Sequence, residues 1–351
     1  MSTPTRRLEL PAYGAALRWR DDDAPGPEGS EVLLRVQRCG ICHTDLHLRH
    51  GYYELGGGRR WQFADRGVLP PLTLGHEIHG EIVATGPQGE GLGRRGVVFP
   101  WIGCGQCALC RRGEEHMCPQ HRFLGLRTPG GYGEHVLLPH ARYVFETDPL
   151  PPEQAAALAC AGLTAYSALR KTEGAVPGWL GIVGAGGIGL AAVSLARVLG
   201  HETVVVFEPD ARRRAAALAA GAAHALDPAD AAAVQALPAA LGGAAGAMID
   251  FVGRPETFLL GTEGLQRGGR YVIVGLFGGE VPITLPMLAL RAISIAGSAV
   301  GSYAEMGELV ALARRGVLPP LPVSLRALAE ADAALDDLEA GRVVGRVVLQ
   351  P

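Results

Sequence analysis

Six residues, Gly184-Ala185-Gly186-Gly187-Ile188-Gly189, constrain the second half of this chain more tightly than any other stretch. An apolar run at 179–183 precedes them and an apolar run at 190–193 follows, so strand, glycine turn and helix come in that order. Alone, a G-x-G-x-x-G string is weak; in that setting it reads as the dinucleotide-binding turn of a doubly wound parallel sheet. Gly184 allows the tight turn, Gly186 lets backbone approach a pyrophosphate, and Gly189 lets helix and strand pack closely. Gly187 and Ile188 open the helix, whose free N–H groups and dipole meet phosphate charge. Nineteen residues after Gly189 stands Glu208, where a carboxylate accepts both ribose hydroxyls and repels a 2′-phosphate, favouring NAD over NADP. Arg212, Arg213 and Arg214 keep NADP open, unless they are only a solvated helix face. Residues 248–253 and 270–275 read as further parallel strands ending in glycine, and 211–245 as helices with connectors.

A chain of 351 residues is long for one core and suits two domains. Hydrophobic residues at 48% and charged residues at 19% exclude a disordered chain. The net charge of −3, without a basic stripe, gives no footing for nucleic acid or a membrane surface. No long apolar span and no export-type N-terminus is visible, so the expected address is the cytoplasm.

Cysteine placement carries the chemistry. Cys104, Cys107, Cys110 and Cys118 give C-x2-C-x2-C-x7-C, four thiols on one stretch. In a reducing compartment such clustering reads as metal binding, and four thiolates close a tetrahedron with no open position. That describes a structural zinc, with an iron–sulfur cluster as the competing reading. Cys42, His76 and Cys160 supply three further ligands of the types zinc prefers, one short of a closed shell. Three ligands and an open place is the pattern of a catalytic ion, although the sequence alone does not bring the three together.

C-H-T-D-L-H at 42–47, G-H-E-x-x-G at 75–80, the four-cysteine knot and the glycine turn follow in one order between Val32 and Val348. In that combination the chain resembles the zinc-dependent medium-chain alcohol dehydrogenase family. The resemblance implies an α/β fold in two parts: a GroES-like β-barrel catalytic domain from 1–161 and 300–351, and a Rossmann domain from 162–299. It implies two zinc ions per subunit and NAD. Cys160 becomes the third ligand of the catalytic ion, and Glu77 sits behind it or ligates it transiently. Asp45 and Glu77 hold the ligands in place. Thr44 takes the alcohol proton and passes it through the ribose to His47. His43 and Arg346 reach the pyrophosphate, and Thr164, Val274 and Gly275 lie beside the nicotinamide. Trp101, and more loosely Tyr53, wall the substrate pocket. The strand within 292–300 pairs with its mate in a homodimer or homotetramer. The implied reaction is reversible hydride transfer between a primary or secondary alcohol, of medium-chain, ω-hydroxy or cyclic type, and NAD+. An NADP-dependent aldehyde reductase or a polyol dehydrogenase of the same family, a zinc-free reductase and a zinc-stabilised binding protein without turnover remain alternatives.

Several stretches stand outside those roles. Residues 44–50 read as a short helix with Thr44 or Asp45 near its N-cap. The glycines of 51–67 suggest a loop, and Tyr52, Tyr53, Trp61 and Phe63 suggest that it packs or overhangs the site. Residues 155–169 look helical, with Cys160 inside. Cys39 reads as a small buried hydrophobe, and His79 as a packed or exposed histidine. Gly93-Arg94-Arg95-Gly96 replaces the family's usual Gly-Asp-x-Val.

Overall fold

A computed structural model describes residues 3–351. Six parallel strands form one sheet in the order His224–Leu226, Val204–Phe207, Leu180–Val183, Ala245–Asp250, Leu265–Ile273, Ser294–Gly297. Numbered along the chain, that order is 3-2-1-4-5-6, the doubly wound Rossmann arrangement. Its direction reverses between Leu180–Val183 and Ala245–Asp250, which opens a crevice at their carboxyl ends. Every residue of these two central strands is buried, as expected where helices cover both faces.

A second, mixed sheet of seven strands takes its members from both ends of the chain. Val32–Gly40 is its spine, paired along one side with Glu77–Thr85. Its other side is shared, with His135–Leu138 on the first half and Arg346–Gln350 on the last residues. Sharing one edge between two partners curls the sheet toward a barrel. Arg346–Gln350 thereby brings the end of the chain beside Gly40, two residues before Cys42.

Five local expectations are corrected. The helix runs His43–His50 and its N-cap is Cys42, not Thr44 or Asp45. Asp45 sits at the third helical position, where its carboxylate accepts the Cys42 N–H at 2.8 Å. Residues 51–67 are not a loop: Tyr52–Gly56 and Arg59–Gln62 pair as a hairpin, followed by a 3-10 turn at Ala64–Arg66. Gly57 and Gly58 both take positive φ, 59° and 74°, which a two-residue hairpin turn requires. Cys160 is not inside a helix. Pro152–Ala156 and a 3-10 turn end before it, its backbone breaks at φ −127°, ψ −65°, and Ala161–Arg170 starts after it. Within 211–245 lies a strand, His224–Leu226, as well as helices, and in 292–300 only Ser294–Gly297 is strand.

His79 faces inward on Glu77–Thr85, 4% exposed, and its Nδ1 has no partner among the described residues. Burial pushes its pKa down to about 4, against a smaller upward pull from Asp148. Between pH 6.5 and 4 the unfolded chain therefore holds a proton that the folded chain refuses, so stability falls as pH drops through that window. His79→Leu removes this slope. Urea melts at pH 7 and pH 5 are expected to show the variant gaining about 2 kcal/mol on the parent over that interval; parallel curves would contradict a buried neutral ring.

Candidate metal centre and nucleotide cleft

The barrel spine delivers Cys42 and His76 to one place. Gly40 pairs with Glu77 across two antiparallel strands, so the residues just beyond each end meet. Gly75 makes the turn into His76 at φ 92°, and a Cβ there would lie 2.4 Å from the Tyr132 ring and 2.7 Å from Cys39 Sγ. Cys39 itself is fully buried beneath this turn, the packing role expected of it. Cys160 arrives from the other side on the broken segment before Ala161–Arg170.

Cys42, His76, Glu77 and Cys160 each offer a donor atom within 4.8 Å of the others, and all four are buried. Cys42 Sγ and Cys160 Sγ lie 3.8 Å apart. Zn–S bonds of about 2.3 Å at the tetrahedral angle set two sulfurs about 3.8 Å apart, so the separation suits one zinc ion. Neither ring nitrogen of His76 has a hydrogen-bond partner among the described residues. A fully buried imidazole without partners is costly unless a metal claims it. Asp45 Oδ1 stands 3.5 Å from His76 Nδ1 and also accepts the Gly75 N–H at 3.2 Å, which orients the imidazole from behind. The Cys42 thiol is held well below its ordinary pKa by the hydrogen bond with Cys160, helped by Arg346 and His76, while Cys160 is pushed well above. Ion binding there would release whatever thiol protons remain.

Glu77 meets Arg346. Nε donates to Oε2 at 3.0 Å and the terminal amino group to Oε1, and both residues are buried. Burial pushes the Glu77 carboxyl up to about 7 although Arg346 pulls the other way. The same arginine lies against the nucleotide turn, since a Cβ on Gly187 would be 2.9 Å from Arg346 Cδ. Arg346 is thus not a surface charge: it joins the floor of the metal site to the glycine turn.

Around the opening, the Trp101 ring lies 5.3 Å from the His76 ring and its Nε1 donates to the Ala159 carbonyl at 3.0 Å. Thr44 Oγ1 lies 3.9 Å from Cys42 Sγ. One turn along the same helix, the His47 ring packs 4.6 Å from the Tyr53 ring. Tyr53 in turn rests on Trp61 and Phe63, so the hairpin holds the outer end of this helix. Burial pushes His47 down to about 4, leaving a neutral ring at neutral pH.

Cys104, Cys107, Cys110 and Cys118 also come within 4.8 Å of one another. Cys104–Cys110 and Cys107–Cys118 are 4.0 and 3.8 Å apart, again edges of a tetrahedron around one ion. Backbone N–H groups of Cys104, Cys107 and Cys110 point at sulfurs of this set, at 3.4 to 3.5 Å, and so favour thiolates. Backbone donors at Gln106 and Cys107 lower the Cys104 thiol to about 6.

In the crevice, Gly184 has φ 90°, and a Cβ on Gly189 would sit 1.9 Å from the Gly184 carbonyl oxygen. A Cβ on Gly186 would meet nothing within 4 Å, so this turn faces open space. Glu208 is buried at the next strand end, where it accepts N–H bonds from Ala185 at 2.8 Å and Asp210 at 3.0 Å. The three arginines are tied elsewhere. Arg212 pairs with Asp210, Arg213 donates to the Gly341 and Val343 carbonyls, and Arg214 to those of Glu208 and Pro209. Val274 and Gly275 both donate to the Asp250 carbonyl at 2.8 and 3.0 Å, at the lip of the crevice. Thr164 is buried one turn after Cys160, Ile188 is half-buried in the glycine turn, and the His43 ring lies 5.4 Å from Phe277. Sequence reasoning passed over Asp250, whose buried carboxylate accepts from the Val252 and Gly253 N–H groups, Thr257 and Tyr271. An acid closing an apolar strand was the available signal.

The profile described as "Alcohol dehydrogenase GroES-like domain" matches residues 28–149, and that described as "Zinc-binding dehydrogenase" matches 187–315. An NAD-dependent alcohol dehydrogenase of Sulfurisphaera tokodaii is 35% identical over 99% of this chain and all of that protein. The chain belongs to the zinc-dependent medium-chain dehydrogenase family. An alcohol dehydrogenase of Geobacillus stearothermophilus is 35% identical to this dehydrogenase over 96% of both chains. The crystal structure of the alcohol dehydrogenase from the archaeon Aeropyrum pernix superposes with a TM-score of 0.87 at 34% identity, covering 99% of this chain and 100% of that one. Membership makes the mixed sheet a GroES-like barrel and zinc the metal its cysteine sets suit. No helix among the described residues is long and apolar enough to cross a membrane.

Proposed function

We propose that this dehydrogenase is an NAD-dependent alcohol dehydrogenase whose site is built by Cys42, His76 and Cys160. One observation carries the reading: a buried imidazole, backed at Nδ1 by Asp45 and with no hydrogen-bond partner at Nε2 among the described residues, stands with two thiols 3.8 Å apart, beside the crevice of a Rossmann sheet. A zinc ion there would supply Lewis acidity at the alcohol oxygen, and a dinucleotide in the crevice would accept the hydride. Everything else falls to this chain's side chains. Thr44 takes the hydroxyl proton while passing its own to the ribose hydroxyl, and His47, on the next turn and held down to about 4, relays that proton to solvent rather than keeping it. Asp45 fixes the imidazole, and the Arg346–Glu77 pair fixes the floor. Gly184, Gly186, Gly187 and Gly189 receive the pyrophosphate with His43, Glu208 binds the ribose, and Thr164, Val274 and Gly275 border the nicotinamide.

The aromatic wall of Trp101, Tyr53 and Trp61 supports a medium-chain, ω-hydroxy or cyclic alcohol over a sugar. A steady-state screen of such alcohols and polyols with both cofactors tests this. Medium-chain alcohols with NAD+ should lead, and polyols in first place would sink the substrate assignment. Glu208→Ala is expected to lower the NAD+ over NADP+ ratio of kcat/KM by about 10-fold or more, the worth of a charged hydrogen bond; an unchanged ratio would remove Glu208 from the ribose.

The same reading divides the chain into a catalytic domain, 1–161 with 300–351, and a nucleotide domain, 162–299. It places the enzyme in the cytoplasm, where thiol ligands stay reduced. Ser294–Gly297 is an edge strand bearing a half-exposed Ile295, close in sequence to exposed Leu285 and Leu290, which supports a homodimer or homotetramer built on that edge.

A further inference from the structure

A cavity of about 270 Å³ lies where the chain crosses between the two sheets, and no metal-ligating side chain lines it. Its walls are mostly apolar, among them Leu158, Leu195, Leu309 and Leu318. Leu158 precedes Cys160, Leu195 lies on the helix behind the glycine turn, and Leu309 on Tyr303–Arg314, so three separate elements meet here.

Two polar groups in this cavity are left over. Ser194 is 4% exposed, and its Oγ has no hydrogen-bond partner among the described residues. A buried hydroxyl in that state costs stability that a ligand hydrogen bond would restore. Arg314, also in the lining, is exposed and among the described residues uses only Nε, on the Asp148 carbonyl at 3.2 Å. It has no carboxylate partner among the described residues. Gln154, by contrast, is satisfied in both directions by the Leu321 backbone, at 2.9 and 3.0 Å. The lining therefore offers one cation and one lone hydroxyl in otherwise mostly apolar walls.

We propose that this cavity is a second small-molecule site, for a medium-chain carboxylate carrying a hydroxyl at its far end. The carboxylate pairs with the Arg314 guanidinium. Its chain lies along the leucines, and its hydroxyl meets Ser194. One water needs roughly 10–15 Å³ on the same measure, so about 270 Å³ leaves room for a medium-length chain.

Calorimetry on the full-length, zinc-loaded protein without dinucleotide tests the site, with 8-hydroxyoctanoate, octanoate and octan-1-ol as probes. Affinity is expected to fall in that order. Arg314→Ala should weaken both carboxylates by about 10-fold or more, leave octan-1-ol unchanged and leave kcat with an alcohol substrate unchanged. Ser194→Ala should bring 8-hydroxyoctanoate down to the affinity of octanoate. Leu318→Trp, which fills the cavity from its wall, should abolish the site, and it guards against a misleading loss of fold in the first two variants. Carboxylates that bind Arg314→Ala and Leu318→Trp as tightly as the parent occupy the metal cleft instead and overturn the proposal. Absence of binding to the parent overturns it as well. Either failure leaves alcohol oxidation by the parent intact, so it is separable from a failure of the proposed activity.

Discussion

Cys42→Ala and His76→Ala should each lower kcat/KM for a primary alcohol by about 10³-fold or more, while the chain stays folded. The site has three neutral-to-anionic donors and no spare one, because Glu77 is occupied by Arg346. Removing a sulfur or the imidazole leaves too few ligands to hold an ion against water. The four-cysteine knot shares no donor with this site, so zinc content should fall from two ions per chain to one rather than to none. A loss of activity with both ions retained would place the chemistry elsewhere. Retained activity in both variants would end the assignment of these residues.

Arg346→Met should destabilise the fold more than His79→Leu, Glu208→Ala or the loss of either metal ligand. Arg346 and Glu77 are 4% and 0% exposed, and among the described residues each is the other's only salt-bridge partner. Deleting one member of such a pair strands the other charge in a dry interior and costs about 3–5 kcal/mol. Glu77 can escape part of that penalty by taking up a proton, since burial already holds its carboxyl near 7. The deficit should therefore be smaller at pH 6 than at pH 8, where the stranded carboxylate must stay charged or bind its proton from a scarcer supply. Adding Glu77→Gln to the variant should recover stability but not activity, because the neutral pair no longer supports the metal from behind. Chemical denaturation of the single and double variants at the two pH values measures both effects. Equal destabilisation by the single and double changes would mean that packing, not charge, is what Arg346 contributes.

Much of this architecture was legible because its chemistry needs particular side chains at particular spacings. The glycine turn between a strand and a helix, the four-cysteine knot, and Cys42 with His76 read directly from the chain. What stayed hidden depends on backbone conformation or on distant partners. Gly57 and Gly58 suggested a loop because glycine tolerates many conformations; only their actual positive φ values make them a hairpin turn. Cys160 sits in an alanine-rich run with helical character, and nothing local announces the break that turns its thiol toward Cys42. The Arg346–Glu77 pair spans 269 positions, and only the strand pairing that returns the C-terminus to Gly40 brings it together. Arg212, Arg213 and Arg214 looked free to meet a phosphate, but backbone carbonyls and Asp210 engage them.

Anomalous diffraction at the zinc edge from crystals of the purified protein asks the central question most directly. Two peaks per chain are expected: one inside Cys104, Cys107, Cys110 and Cys118, the other bound by Cys42, His76 and Cys160 with its fourth side open toward Val274 and Gly275. A single peak at the four-cysteine knot, or a second ion sealed on every side by protein, would contradict the account.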